Sequence, residues 1–196
     1  VIIDDLFPCI PMNNPIVTRS PSNEIWVLII EKALAKIIGN YSTIIFVSII
    51  EFLLMLTGCP TFFFEISELI QEDDNTNLLT KLKSFVEDKN YLTMAIMNKA
   101  EEVEEEEEDK GLIVPTFGYT ILGILQVSDQ IFIKLRKVWY NETKDANIKE
   151  YQDKIKEEYP DLEDELNSMN ETEVLLTLSD FTKEFAVLAV CYTRNW

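Results

Sequence analysis

The chain has no histidine among its 196 residues. Imidazole is the side chain that changes charge near neutrality. Its absence removes the Ser-His and Cys-His pairs of nucleophilic hydrolases and the usual mixed zinc sites. Paired carboxylates or lysine remain as routes to chemistry, but the pattern places no two acids in an apolar pocket. Cations are scarce as well. Seventeen Lys and Arg stand against 35 Asp and Glu, a net charge of −18. That balance speaks against nucleic acid, whose phosphates need clustered cations. Much of the excess is local, since "EEVEEEEEDK" at 101–110 holds eight acids. Such a block is usually a solvated loop, with a Lys/Arg-rich partner or diffuse calcium as the alternative occupants. Cysteine is sparse too: Cys9, Cys59 and Cys191 lie far apart with no CxxC spacing. That usage suits reduced thiols in a cytosolic setting. Sequons at Asn40, Asn141 and Asn170 are frequent by chance and carry little weight. The long apolar run "STIIFVSIIEFLLML", 42–56, is shorter than the ~20 residues that span a bilayer. It also contains Glu51, so it reads as a buried core helix.

What is present is a core. Hydrophobic residues make up 47% and aromatic residues 11%, enough for one domain and too much for disorder. "VIIDDLFP" opens as a short strand, and "PMNNPIVTRSPSN" follows as loop. The spacing then predicts a helix over 23–38. Ser22 or Asn23 caps it, Gly39 stops it, and Trp26, Ile30, Ala33, Leu34 and Ile37 face inward. A second helix is expected over 47–56. "TFFFEI" is extended or a turn. "NTNLLTKLKSFVEDKN" is a third helix with Leu78, Leu82 and Phe85 inward. The β-branched and aromatic runs at 91–97, 119–127 and 130–139 read as antiparallel strands, with Ser128 and Asp129 as a hairpin turn. Within 141–170, Ile148, Tyr151, Ile155 and Tyr159 recur at helical spacing. That stripe docks either on a partner or on the chain's own sheet. "EVLLTLSDF" and "FAVLAVCYT" close the chain as strands around an "SDFTKEF" turn. Helices come first and antiparallel strands later, an α+β layout.

Several of these stretches share one family's order of motifs. "VIIDDLFP" is similar to an opening strand of the form V-x-V-D-D-x-L-P. "EIWVLIIEKALAKIIGNY" follows E-F-W-x-x-L-x-E-K-A-Y-A-K-x-x-G-x-Y through Trp26, Glu31, Lys32, Ala33, Ala35, Lys36, Gly39 and Tyr41. "TLSDFTKEFAVLAVCYT" is similar to a closing S-F-x-D-F segment through Ser179, Asp180, Phe181, Phe185 and Cys191. The chain thus resembles the second subdomain of the calpain-type, papain-like cysteine protease core, the one that carries the histidine and asparagine of the triad. The resemblance spans nearly all of 1–196 and is weakest at 98–112, an acidic loop, and at 141–172, a charged helical insertion. It implies N-terminal helices packed on an antiparallel sheet or half-barrel, as one subdomain.

Carried across residue by residue, the resemblance leaves the triad empty. The histidine of G-H-A-Y-S-V corresponds to Phe117, and the asparagine of R-N-P-W-G to Lys137, with Arg136 and Trp139 retained. The nucleophilic cysteine belongs to a preceding subdomain outside these residues, and the start at Val1 suggests a piece of a longer chain. A thiolate needs imidazole to take its proton and to give one to the leaving amine, and phenylalanine does neither. A lysine at the asparagine position would set a positive charge against any imidazole there. Phe117 is therefore either a plug of a dead cleft or drift after catalysis was lost. Of the calcium ligands the resemblance implies, only Glu65 is an acid; the others fall near Asn77 and Met97, and Phe63 stands where the family has tryptophan. Trp26, Phe63 and Trp139 are cleft or core aromatics. The expectation is an inactive calpain-like domain with no cofactor and no metal. It would serve as a scaffold for protein partners in a larger complex, with neither nucleic acid nor a membrane span. Degenerate calpain-like domains suggest a cytoplasmic setting, with the cytoskeleton or the cilium axoneme as the finer guess. The alternatives are a protease fragment with an unconventional site, and a regulatory pseudoprotease whose cleft still holds a peptide.

Overall fold

A computed structural model describes residues 1–10, 14–15, 24–70, 75–97, 112–113, 118–137 and 142–193. The chain divides into two compact units, Val1–Phe52 and Leu53–Trp196.

In the first unit the opening residues do not form the expected strand. Residues 1–8 have no regular structure, and the pairing begins later, between β1 (Cys9–Ile10) and β2 (Asn14–Pro15). Helix α1 covers Trp26–Ile38. The Lys32 ammonium donates to the Asp4 carboxylate and to the carbonyls of Asp4 and Leu6, and Lys36 donates to the carbonyl of Ile2. Lys32 also lies 5.1 Å from the Phe7 ring centroid. The two lysines therefore fasten the opening segment to α1, which explains why both sit on one side of the helix. Gly39 ends α1 as expected, at φ 126° with its N–H on the Ala35 carbonyl at 2.8 Å; only glycine adopts that backbone without strain. The expected caps Ser22 and Asn23 lie outside the described residues, and Ile25 before the helix offers no side-chain cap.

The buried face of α1 differs from the expectation. Leu34 and Ala35 are buried, but Trp26 and Ile37 are 56% and 58% exposed. The helix is apolar on most of its surface, so spacing alone does not set its phase. The run 42–56 is likewise not one buried helix. It splits into a 3-10 stretch, Tyr41–Phe46, and helix α2, Ile49–Thr57. Asn40 caps the first through Thr43 N–H at 3.0 Å. A capping box opens the second: the Ser48 N–H donates to the Glu51 carboxylate at 3.2 Å, and the Glu51 N–H donates to Ser48 Oγ at 3.3 Å. Of α2 only Leu53 is buried, while Leu54, Met55 and Leu56 are exposed.

The second unit is built on a six-stranded antiparallel sheet. Its strands are β3 (Thr61–Glu65), β4 (Tyr91–Met97), β5 (Gly118–Val127), β6 (Gln130–Arg136), β7 (Glu173–Thr177) and β8 (Phe185–Tyr192), in the order β3-β8-β4-β5-β6-β7. The remaining helices are α3 (Ile66–Leu69), α4 (Thr76–Glu87), α5 (Glu142–Glu158), α6 (Glu163–Ser168) and α7 (Leu178–Glu184). The α+β layout holds. Ser128 and Asp129 turn the β5–β6 hairpin between paired Val127 and Gln130, with Ser128 at φ 53°. Strand β6 ends at Arg136 rather than 139, and 138–140 lie outside the described residues.

Leu78 and Leu82 of α4 are fully buried in the main core with Ala95, Tyr119, Leu188 and Val190. Phe85 is half-buried and stacks on Phe64 at 5.4 Å. A second cluster joins Ile155 of α5 and Leu162 to Phe132 and Leu175. The charged helix thus docks on its own sheet. The expected "SDFTKEF" turn is instead helix α7, because the Thr177 hydroxyl accepts from the Asp180 N–H at 3.1 Å and caps it.

Candidate functional site

Strands β5 and β6 pair antiparallel with Thr120 opposite Arg136. The residues just before Thr120 and just after Arg136 therefore share one end of the hairpin. Lys137 is there. Its N–H donates to the Thr172 carbonyl at 2.8 Å, and its ammonium is paired with the Asp145 carboxylate of α5. The lysine side chain is only 11% exposed and that of Asp145 19%. The other Asp145 oxygen is buried with no partner among the described residues. In this pair the ammonium of Lys137 is the hydrogen-bond donor and the Asp145 carboxylate the acceptor. Of the two readings the sequence left open for Lys137, an acid partner or water, the acid is found: Asp145, eight residues on, balances its charge. Phe117 and Trp139, expected beside it, lie outside the described residues.

Next to Lys137 a larger ion cluster pins the insertion to β6. Lys134 reaches Glu165 at 2.7 Å and Glu173 at 3.1 Å, and Arg136 reaches Glu173 at 3.1 Å. The Asn170 amide adds a donor to Glu173 at 3.3 Å. Burial alone would raise the Glu173 carboxyl, but the donors Lys134, Arg136 and Asn170 outweigh it and hold it below the usual carboxylate range. The hydrogen bond that Lys134 donates to Glu165 is the main influence pushing its ammonium up.

A third cluster was not foreseen. Tyr151 of α5 donates its hydroxyl proton to Asp180 at 2.6 Å and accepts from the Thr177 N–H at 3.1 Å. The Thr177 hydroxyl also donates to Asp180 at 2.8 Å. Burial, then the bond to Asp180, pushes the Tyr151 phenol up to about 12. Burial acts against the Asp180 carboxylate, yet Tyr151, Thr177 and Lys183 together keep it below its ordinary value. Asp180 itself was visible in the closing motif. Its tyrosine partner lies 29 residues upstream on the stripe of the charged helix, where the spacing turns Tyr151 inward but does not name Asp180 as its partner. An open cleft of about 390 Å³ beside this cluster is lined by Lys154 and Lys183 together with Glu150 and Glu184. Burial raises the Glu184 carboxyl above its usual range.

The raised phenol dictates a pH dependence. Unfolded tyrosine ionises near 10, the folded one near 12. The stabilisation is complete below the unfolded value and is lost as pH rises from about 10 towards 12. Tyr151→Phe should therefore shift the onset of base unfolding, read by circular dichroism between these limits, and should remove a late-titrating component from the tyrosine absorbance.

The remaining candidates are scattered. Glu65 ends β3, exposed, opposite Val187, and Met97 ends β4 opposite Phe185. Both flank the start of β8, and Asn77 lies in the first turn of α4. One carboxylate, one amide and one thioether do not supply the six to eight oxygens that calcium takes. Among the described residues no group of three or more Asp, Glu, Cys or His could hold a metal. Trp26 is exposed, with its indole N–H on Glu24 at 2.9 Å. Phe63 is 43% exposed on β3. The cysteines are free thiols, with Cys59 and Cys191 buried. No helix among the described residues is long and apolar enough to cross a membrane.

The sequence model of the calpain family cysteine proteases matches residues 1–192. That span takes in the helix Trp26–Ile38, both clusters around β6 and the closing strand β8. The chain therefore belongs to the calpain family of cysteine proteases.

Proposed function

We propose that this calpain-family domain is catalytically inert, acts as a single second subdomain over 1–196, and is kept as a protein-interaction module in a larger assembly. The observation that carries the reading is chemical. The family match covers 1–192, and within the whole chain there is no histidine. Cysteine-protease chemistry needs a group that takes the thiol proton and returns it to the leaving amine. The two side chains at the corresponding positions are Phe117 and Lys137, and the second is bound up with Asp145. A nucleophile subdomain supplied from elsewhere would still meet no base. The α5–α6 insertion supports the same reading from another side. It is anchored by three separate polar clusters, an investment in a fixed surface. A cytoplasmic assembly of cytoskeletal or ciliary type is the setting we favour, in line with the reduced-thiol usage of Cys9, Cys59 and Cys191.

The test treats the full-length protein, with and without calcium, with a thiol-reactive peptide-epoxide probe and a quenched peptide substrate. No labelling beyond that of heat-denatured protein, and no turnover above buffer, is the expected result. Calcium-dependent labelling of one cysteine together with substrate cleavage would overturn the proposal.

A further inference from the structure

The two edges of the six-stranded sheet are treated differently. At one edge β7 is buried: Glu173 is 8% exposed and Val174, Leu175 and Leu176 are 0%, packed under α5 and neighbouring elements. At the other edge β3 pairs, among the described residues, with β8 alone. Its sequence is Thr-Phe-Phe-Phe-Glu, and Phe62 and Phe63 are 55% and 43% exposed.

The hydrogen-bond phase of this edge can be read. The Tyr192 N–H donates to the Pro60 carbonyl at 3.1 Å, and the Thr193 N–H donates to the Asn90 carbonyl at 2.6 Å. Even-numbered residues of β8 therefore bond towards β3, and odd-numbered ones towards β4. By the alternation of an antiparallel ladder, Phe62 and Phe64 face β8 with their backbone groups. Thr61, Phe63 and Glu65 then turn their N–H and C=O groups outward. Natural sheets blunt such an edge with lysine, proline or a bulge. Between Thr61 and Glu65 there is none of these.

We propose that β3 is a docking edge for an extended, Lys/Arg-bearing segment of a partner protein, which adds as a seventh strand. This rests on the interaction role proposed above and names its surface. Charge selects the occupant. A second copy would bring another −18 chain against the first, and like charge opposes that contact. A basic segment meets the reverse situation. Glu65 and Glu68 are exposed at the end of the strand, and Lys81 is engaged over the Phe64 ring at 4.6 Å. Main-chain bonds to residues 61, 63 and 65 supply affinity, and Phe62 and Phe63 supply apolar cover for alternate side chains of the added strand.

The test uses a fluorescent nine-residue peptide of alternating valine and lysine, read by anisotropy on the full chain. Its counterpart with glutamate for lysine is the control. Phe63→Pro deletes one outward N–H without touching the β8 ladder, a position where an edge strand tolerates proline. The lysine peptide should bind and the glutamate peptide should not. Phe63→Pro should weaken binding by about five- to tenfold. Should that variant melt early, Phe63→Lys keeps the backbone and opposes the peptide by charge, with the same loss expected. Binding unchanged in both variants, or no binding of the lysine peptide, overturns the proposal. So does a dimer in sedimentation velocity that Phe63→Lys dissolves, since β3 would then take a second copy. Cleavage of the peptide would sink catalytic inertness instead, and anisotropy would still decide the docking edge.

Discussion

Phe181→Ala should cost about 3–5 kcal/mol, as large aromatic truncations in cores do. Phe181 is 0% exposed on α7. Its ring lies 5.0 Å from that of Phe185, which in turn meets Tyr119 edge-on at 5.5 Å. These three rings join α7, the first residue of β8 and the start of β5 in one cluster. Truncation leaves a cavity that strands on both sides border, so collapse to fill it would disturb two ladders at once. For a chain of this size the loss corresponds to a fall in Tm of about 6–20 °C. Phe181→Leu, which keeps most of the volume, should cost well under half as much. Urea unfolding followed by circular dichroism checks both. An alanine variant within 1 °C of wild type would mean that the cluster does not hold the unit together.

Glu173→Ala has the second largest expected effect, about 2–4 kcal/mol. The Glu173 side chain is 7% exposed and serves Lys134 and Arg136 together. Removing it strands the Arg136 guanidinium and the Asn170 amide, while Lys134 keeps Glu165. The cost stays in the lower part of the usual range for a broken buried pair because Arg136 is 53% exposed and can turn to water. The pH dependence has a definite sign. Glu173 and Asp180 have folded-state values below those of the unfolded chain. The unfolded state therefore binds more protons in acid. The stability these groups add is present above the ordinary carboxylate values, about 4, and is lost as pH falls through their lowered folded values. Acid titration of stability should show wild type falling below pH ~4.5 and Glu173→Gln falling less steeply from a lower start. Parallel curves would remove Glu173 from the account.

The sequence was legible where one local pattern decided the outcome. Strand β4 runs over 91–97 as its apolar and β-branched residues indicate. Gly39 ends α1 because the backbone there is left-handed, and Leu78 and Leu82 pack inward because α4 carries a single apolar stripe between lysines. Legibility failed where apolar residues covered more than one face. Helix α1 carries Val27, Leu28, Ile29 and Ile30 in succession, so Trp26 and Ile37 had no clear side. Within the run 42–56 the helix expected over 47–56 is found as α2, and Asn40 and the Ser48–Glu51 box mark the two helix starts that divide the run. The Thr177-x-x-Asp180 cap was also there to be read, and it gives α7 in place of a turn. At the candidate site the order of motifs located Lys137, but nothing local selected Asp145 from the many acids of α5. Such pairings depend on which face of the helix meets the sheet, a tertiary fact.

The placement of β8 between β3 and β4 has a consequence for how this protein is made. Thr61 pairs with Cys191, 130 positions later in the order of translation (191 − 61). At roughly 5–20 residues per second, β3 waits about 6–26 s for its neighbour. During that wait its three phenylalanines and both rows of backbone groups are available to any other chain nearby. Strand β8 is made after the other five strands of the sheet, so none of them can complete the ladder between β3 and β4 before it emerges. Newborn chains of this protein should depend on chaperone holding for that interval, and a stop codon placed shortly before Phe185 should yield aggregate rather than a shortened soluble domain.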